Sequence, residues 1–369
     1  MNKTKGNIGT KEFFAVIVLT IGTKLEDDTP SILYTSMENA AWMAPIIIGV
    51  LSILPIFLLT KIISQYPDKN LIEIILHLFG KYFGYFVLFT LWLIQTYALV
   101  IDSAIYSDII GSLYFSTTPN LIIYTLLIAV AAYGAKKGIE HIASFAWIVI
   151  TAIKISAFAA LLMIFLQGDI SFIFPILGPG VWEIAKESTT FASIFGDFLF
   201  LSFIAFHLKS TKVFKKGVWM ALLFVTFELT FALIGYVLLF DYNAVEMLNF
   251  PFHEAIRYIE FGFLTNVESL FFPFWLLSTF TRFAFYFYIS SLLFGTLFKI
   301  RQYEYVIPTL AILIVLLGSI PETPTFSIFS LRKTFLHFAA PIFLFLPALL
   351  WIMAKLKGDV KREKTKTSQ

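Results

Sequence analysis

The chain has 369 residues, of which 59% are hydrophobic and only 14% are charged, and its formal net charge is +3. Soluble domains carry about 25% charged residues, so this composition excludes a soluble globular protein and indicates a polytopic membrane protein. The sequence has no cysteine, which excludes disulfides and thiol chemistry, and its basic residues form separate loop clusters that indicate no nucleic-acid partner.

The first apolar segment, residues 13–30, looks like a membrane helix that stops halfway. Its apolar run lasts about 11 residues, whereas a helix needs roughly 20 to cross a bilayer. Gly22 lies where the run fails, and a second, weakly apolar piece begins at Ser31. A broken helix is tolerated at membrane depth where its freed backbone groups line a cavity. We therefore interpret this break as part of a binding site for a small polar ligand.

Nine more apolar segments follow in the sequence. They are residues 40–60, 82–101 with an extension to 113, 121–133, 142–166, 181–206, 218–240, 270–298, 306–320 and 335–353. Between them, residues 71–79 predict an amphipathic helix at the membrane interface and residues 252–259 predict a surface helix. The tail, residues 355–369, is basic and is predicted to be disordered.

Loop charges support ten spans with both termini in the cytoplasm. Cytoplasmic loops accumulate Lys and Arg, and this count puts most of the 27 basic residues inside, with at least two in every inner loop. The Gly/Pro-rich stretch at residues 168–180 divides the chain near its middle. We predict two five-span repeats, residues 1–167 and 168–354, followed by the tail.

The sixth span repeats the interruption of the first span. Its apolar run fails at Ser193-Ile194-Phe195-Gly196-Asp197, so each predicted half opens with a broken helix. Because five is odd, the two halves enter the membrane from opposite sides, which is the inverted-repeat arrangement of many secondary transporters. The sequence therefore predicts an all-α membrane protein with discontinuous helices 1 and 6 and a ligand site between them at the midplane.

Several short sequence elements match a known family in order and spacing. They are Ile21-Gly22-Thr23, Pro30, Ala41-Trp42-Met43, Tyr133, Gly138-Ile139-Glu140, Gly196-Asp197, Pro251-Phe252, Val267-Glu268-Ser269 and Trp275. This series resembles the B subunit of spore nutrient-germinant receptors, a family of the amino acid, polyamine and organocation transporter superfamily. Family members often have Gly-Glu in the sixth helix, where this chain has Gly196-Asp197.

The resemblance implies a LeuT-like permease fold in the inner membrane of endospores. It also implies a companion A-type membrane subunit, a lipoprotein C subunit, and a small nutrient ligand, typically an amino acid, whose binding signals germination. It implies neither an enzyme activity nor a cofactor. An autonomous, proton-driven amino acid transporter is the alternative that the sequence leaves open.

Backbone groups at the two breaks are the first candidates for ligand contacts. N–H groups at Ile21, Gly22 and Thr23 are expected to favour a carboxylate, because the start of a half-helix attracts anions. Carbonyl groups at Ser193, Ile194 and Phe195, next to Gly196, are expected to accept hydrogen bonds from an ammonium group. The alternative is that both glycines only allow close helix packing.

Charged residues inside predicted spans are functional candidates because burying charge in a bilayer is costly. By the resemblance, Lys154 and Arg282 lie near where sodium-coupled relatives bind their ion. Lys154 would make the protein sodium-independent, either as a fixed positive charge or as a proton-binding group. The alternative for both is a structural salt bridge to Asp102, Asp197 or Glu228. Asp197 is a candidate ligand-amine partner or proton carrier, or else a cap for the N–H groups of residues 198–200. Glu228 is a further candidate for ion or proton coupling, or else an internal partner of another charge.

The superfamily arrangement also suggests three side chains for the pocket. Tyr97 would face the cavity as a gate or carboxylate contact, or else serve only in helix packing. Leu277 and Ser278 are candidates for the pocket that holds the side chain of the ligand. The five histidines are scattered and show no metal-ligand spacing, and no phosphate loop or catalytic triad is present in the sequence.

Overall fold

A computed structural model describes residues 6–259, 267–321 and 323–359. All regular secondary structure in these ranges is helical, apart from one isolated bridge between Ile8 and Leu208. The α-helices are α1 (Thr10–Ile21), α2 (Thr29–Met37), α3 (Ala44–Gln65), α4 (Leu71–Phe79), α5 (Lys81–Ile109), α6 (Asn120–Lys136), α7 (Ile139–Gln167), α8 (Val181–Thr190), α9 (Asp197–Leu201), α10 (Thr211–Phe240), α11 (Tyr242–Val245), α12 (Pro251–Tyr258), α13 (Val267–Leu297), α14 (Ile307–Gly318), α15 (Pro324–Phe326) and α16 (Lys333–Leu356).

Short 3-10 and π segments join or extend these helices. The 3-10 segments are Gly22–Leu25, Glu38–Met43, Ile170–Ile173, Ala192–Phe195, Ser202–His207 and Tyr303–Val306, and the π segments are Ile110–Tyr114 and Ser327–Arg332. Both predicted interruptions are confirmed, because 3-10 turns replace the α-helix after Ile21 and after Phe191.

Length and hydropathy alone qualify six helical stretches of the described ranges as membrane spans, or seven when the bent pair around Phe191 counts as one. Two shorter apolar helices, Asn120–Lys136 and Tyr303–Gly318, coincide with the predicted fourth and ninth spans. The broken first segment coincides with the predicted first span. The all-α, multi-span fold is thus confirmed, while the count of ten and the boundaries of the two repeats remain predictions.

The central helix of the bundle is α13, which packs against α5, α6 and α7. The first half-helix, α1, packs against α7 and α10 and is buried along most of its length. The broken segments therefore lie in the interior, where hydrocarbon does not reach their freed backbone groups. The outward faces of the long helices carry large exposed apolar side chains, as a lipid-facing surface does.

Two short helices between the spans were predicted from sequence, and one of them has a different environment from the expected one. Helix α4 begins with a capping box, in which Asn70 and Glu73 exchange side-chain and backbone hydrogen bonds. Helix α12 was predicted to lie on the surface, but Phe252 and His253 are fully buried. Its apolar face is turned into the bundle, where Phe252 and His253 meet Phe271 and Trp275 of α13.

Candidate functional site

Three carboxyl residues occupy the first break, between α1 and α2. Glu26, Asp27 and Asp28 follow the 3-10 turn and have no solvent-exposed surface. Tyrosine hydroxyl groups satisfy the carbonyls that the break frees: Tyr106 donates to the Thr23 carbonyl at 3.2 Å and Tyr236 to the Leu25 carbonyl at 2.8 Å. The break is therefore a polar interior segment in which both of these carbonyls have a hydrogen-bond donor.

The second break faces the first, and Lys24 joins them. The chain bends by 46° between Val181–Thr190 and Ala192–His207. Lys24 Nζ donates to the Ile194 carbonyl at 2.6 Å and to Asp197 Oδ2 at 2.5 Å. An ammonium group thus already occupies the carbonyl for which we predicted an ammonium partner, and it comes from the protein itself.

Two buried arginines, Arg282 of the eighth predicted span and Arg332 just before the tenth, bind the first break to the third predicted span. Arg282 donates to Asp27 at 3.1 Å and to Asp102 at 2.5 Å. Arg332 donates to the other oxygen of Asp102 at 2.6 Å and to Asp27 at 2.9 Å. Both carboxylates thus lie between two guanidinium groups, which compensates part of the cost of burying them.

Lys154 lies directly beside the first break. Its Nζ donates to Glu228 Oε1 at 2.6 Å. A Cβ atom added to Gly22 would lie 2.6 Å from Glu228 Oε2 and 3.1 Å from Lys154 Nζ. The absence of a side chain at Gly22 is thus what allows this ion pair to approach the break.

A small cavity of about 40 Å³ lies between the two breaks. Its polar lining comes from Lys24, Gln95, Asp102, Ser193, Asp197, Tyr286 and Arg332. Since one water needs about 10–15 Å³, this cavity has room for a few waters and is too small for an amino acid. The space between the breaks is therefore closed to an amino acid in this structure, with cationic and anionic side chains on its walls.

The histidine of helix α12, His253, is fully buried in the bundle. His253 receives a hydrogen bond from, or donates one to, the Tyr114 hydroxyl at 2.9 Å and packs on Trp275 with ring centroids 4.6 Å apart. Burial is the largest cause that lowers the pKa of His253 to about 3, although the neighbouring Glu26 backbone and the charge of Asp27 act in the opposite direction.

Acidification is expected to weaken the closed arrangement through His253. The pKa of this histidine is lower in the folded state than its unfolded value of about 6.5, so below that pH the unfolded or open state binds a proton that the closed state does not. Stability should fall by up to about 1.4 kcal/mol per pH unit below pH 6.5. Thermal unfolding at pH 7.5 and 5.5 should show a smaller decrease for His253→Asn than for wild type. The control, His141→Asn at an exposed position, should keep the full decrease; equal decreases in all three proteins would contradict the assignment.

The structure places the predicted backbone residues at the breaks but with internal partners. Ile21, Gly22 and Thr23 end α1 and start the turn, and the Thr23 hydroxyl accepts from Arg282 at 3.2 Å. Ser193 donates to the Leu336 carbonyl at 2.6 Å. Phe195 and Gly196 complete the second turn, and Ser193 and Gly196 line the small cavity.

The predicted charged residues all lie near the breaks, and each has a partner. Lys154 and Glu228 pair with each other, and Arg282 pairs with Asp102, as the salt-bridge alternative predicts. Asp197 accepts hydrogen bonds from Lys24 and, at 2.7 Å, from Tyr286. Among the described contacts, the Asp197 oxygens accept from these two side chains and from no backbone N–H group, so the helix-cap alternative has no support in them.

The expected position of Tyr97 is also wrong. Gln95, Ala98 and Asp102 of α5 face the small cavity, and the helical period turns Tyr97 to another side. Tyr97 is 42% exposed and lines a lateral apolar groove of about 1080 Å³ between α5, α14 and α16, where it packs on Phe335.

Leu277 and Ser278 do not line the small cavity either. Ser278 donates to the Trp275 carbonyl of its own helix at 2.7 Å. The residues of α13 that reach the breaks are Arg282 and Tyr286, about one and two turns further along the helix. These two positions therefore serve helix packing in the closed conformation.

Several residues of the site were not among the candidates. They are Lys24, Glu26, Asp27, Asp28, Tyr106, His253, Tyr286 and Arg332. The run of charges at residues 24–28, inside an apolar segment, was the signal for the first four. Arg332 lies just before the predicted tenth span, but the helix starts earlier and includes it through a π turn.

Solved transporters have the same fold. Mhp1, a nucleobase-cation-symport-1 family transporter in a closed conformation with bromovinylhydantoin bound, aligns with a TM-score of 0.68 and 13% identity over 88% of this chain and 75% of that chain. A Na⁺-coupled sialic acid symporter in a substrate-bound, outward-open state aligns with a TM-score of 0.64 and 12% identity over 94% of this chain and 79% of the symporter. MhsT in complex with L-phenylalanine aligns with a TM-score of 0.61 and 14% identity over 92% of this chain and 88% of MhsT. These identities are low, so the likeness shows the fold alone.

The family is established by sequence. No curated protein matches the chain. A family described as spore germination protein, the spore permeases, matches residues 9–327, which include both breaks and most of the described helices. With the apolar helices and the transporter fold, this match makes the chain an integral, multi-pass membrane protein, and it belongs to the spore germination protein family of permeases.

Proposed function

We propose that this protein is the ligand-sensing subunit of a spore nutrient-germinant receptor and that it binds an amino acid between its two broken spans. One observation carries the proposal: the facing breaks present both signs of charge to one small cavity, with Lys24 and Arg332 against Asp102 and Asp197. A zwitterion matches such a lining, because its carboxylate and its ammonium group each find a charged partner. The solved transporters with this fold hold small molecules, such as bromovinylhydantoin in Mhp1 and L-phenylalanine in MhsT, which is consistent with this use of the fold.

Binding requires the cavity to open. The Lys24 ammonium must leave either the Ile194 carbonyl or Asp197 when the ammonium group of a ligand takes its place. Phe335 and Ile94 line both the small cavity and the lateral groove, so a rotation of these side chains enlarges the pocket. We propose that this exchange of partners is the event that A-type and C-type receptor subunits detect in the inner spore membrane, with both termini of this chain in the cytoplasm.

A thermal-shift screen tests the site. Amino acids, nucleosides and sugars are added to the purified protein, and a ligand at a hundred times its Kd should stabilise it by about 2.7 kcal/mol. We expect an amino acid to stabilise the wild type and to have no effect on Lys24→Met or Asp197→Asn. The control is Lys186→Met, which removes an exposed lysine from an ion pair on α8 and should leave the shift intact.

The results also separate the proposals. Stabilisation that survives in Lys24→Met and Asp197→Asn would move the site away from the breaks, and stabilisation by nucleosides or sugars alone would overturn the amino acid assignment. The alternative function, a proton-driven amino acid transporter, predicts accumulation of the stabilising amino acid in proteoliposomes with a pH gradient. A sensing subunit binds the amino acid without accumulating it.

A further inference from the structure

Carboxyl groups outnumber cations around the two breaks. Within the described residues, the charged side chains of this region are the buried cations Lys24, Arg282 and Arg332, the partly buried Lys154, and the buried carboxyl residues Glu26, Asp27, Asp28, Asp102, Asp197 and Glu228. If every group were ionised, the interior would hold two uncompensated negative charges. A charge without a partner in such an interior is strongly unfavourable.

The hydrogen bonds identify the surplus carboxyl groups. Four carboxylates accept hydrogen bonds from the four cations: Asp197 from Lys24, Glu228 from Lys154, and both Asp27 and Asp102 from the two arginines. The four positive charges of these cations therefore balance the four negative charges of these carboxylates. In the part of the chain that the structure describes, Glu26 and Asp28 are the carboxyl residues of this cluster with no hydrogen bond on either oxygen.

Glu26 is the more isolated of these two residues. Arg332 Nε lies 3.3 Å from Asp28 Oδ1, whereas no described cation lies within ion-pair distance of Glu26. The charged neighbours of Glu26 include Lys154, Glu228, Asp27 and Arg282. The two cations among them already donate hydrogen bonds to other carboxylates, Lys154 to Glu228 and Arg282 to Asp27. Its other titratable neighbours are Tyr106, Tyr114, Tyr236 and His253. Desolvation and the nearby carboxylates therefore both oppose an ionised Glu26.

We propose that Glu26 is a proton-binding site, which holds a proton in this closed conformation and releases it when the first span moves. Glu26 lies between α1 and α2, so any displacement of the two half-helices changes its surroundings. On opening, water enters, the O–H bond of the carboxyl group breaks, the proton goes to water, and the carboxylate remains. Opening of the pocket is thereby coupled to external pH, whatever ligand the protein takes, and this inference does not rest on the proposed function.

Infrared spectroscopy of the reconstituted full-length protein tests the protonation directly. A protonated carboxyl group has a C=O stretching band that a carboxylate lacks. At pH 7.5 we expect this band in wild type and in Glu140→Gln, a control at an exposed glutamate, and its partial or complete loss in Glu26→Gln. Asp28→Asn shows how much of the band belongs to Asp28. A band that Glu26→Gln leaves unchanged, or no such band in wild type, would overturn the proposal.

A second measurement covers the case in which Glu26→Gln does not fold. In wild-type protein labelled with carbon-13 in the side-chain carboxyl of glutamate, the band should shift to lower frequency, since aspartate is unlabelled; an unshifted band would overturn the proposal. Where Glu26→Gln folds, melting temperatures give a functional readout. A group protonated in the closed state contributes stability that is lost as pH rises. Raising the pH from 7 to 9 should therefore destabilise wild type more than Glu26→Gln, and equal losses would contradict the coupling.

Discussion

Arg332→Met is expected to lower the free energy of unfolding by about 3–5 kcal/mol, because it removes one partner from a buried ionic network. Arg332 is 2% exposed and donates to Asp27, Asp102 and the Thr29 hydroxyl. Without it, Asp27 and Asp102 retain only the guanidinium of Arg282, and Asp28 loses its contact with the Arg332 guanidinium. Methionine has an unbranched side chain that replaces much of the apolar stem of the arginine. The lost free energy of unfolding therefore comes from the missing charge more than from lost packing.

Thermal or denaturant unfolding in detergent measures this loss. The matched control is Arg257→Met, whose ion pair with Glu254 has an N···O distance of 3.6 Å at partly exposed side chains. Exposed pairs contribute about 0–1 kcal/mol, so this control should unfold nearly as the wild type does. Equal effects of the two substitutions would mean that the arginine network contributes no more than a surface pair.

The breaks could be predicted from sequence because they depend on local properties. A shortened apolar run and a glycine are visible in the chain at residues 13–30, and the same pattern at Gly196 makes the pairing of the two breaks predictable. The fold follows from these local signals together with the distribution of loop charges. Apolar length also predicts most helix bounds to within a few residues, but not the starts of the seventh and tenth predicted spans, where the helices begin at Thr211 and Pro324.

The partners inside the site could not be predicted because they depend on helix rotation and packing. Sequence shows that Lys154, Arg282 and Asp197 lie at membrane depth, but the choice of Lys24 as the partner of Asp197 joins residues on two separate broken spans. Tyr97 shows the same limit. It follows Gln95 by two residues on α5, and the turn of the helix between them puts Gln95 on the small cavity and Tyr97 on the lateral groove. Arg332 was missed because a π turn extends the tenth predicted span toward its start.

The acidic run at residues 26–28 also has a meaning that pattern alone could not supply. In sequence it reads as the polar connection that follows a failed apolar run. In the structure it is fully buried, and its middle residue is held by both arginines while Glu26 has no hydrogen-bond partner on its side chain. Adjacent carboxyl groups thus have different roles, which only their partners reveal.

Lys154→Met is expected to have an effect of similar size, about 3–5 kcal/mol, through Glu228. The Oε2 atom of Glu228 already has no hydrogen-bond partner, and Oε1 accepts from Lys154 alone among the described contacts. Removing the lysine leaves a carboxyl group beside Gly22 without a cation, near the carboxyl of Glu26. Lys154→Met combined with Glu228→Gln removes both charges and should recover most of the lost stability.

A double-mutant cycle on these two residues measures the coupling, and sodium provides a second comparison. If Lys154 takes the place of a bound sodium ion, as the resemblance implies, sodium chloride should stabilise Lys154→Met relative to choline chloride while leaving wild type unchanged. If the lysine only compensates Glu228, the two salts should act equally on the single mutant, and the double mutant should still recover. Additive losses in the cycle, with no recovery in the double mutant, would contradict the ion pair as the source of the effect, because residues in contact show non-additive energies.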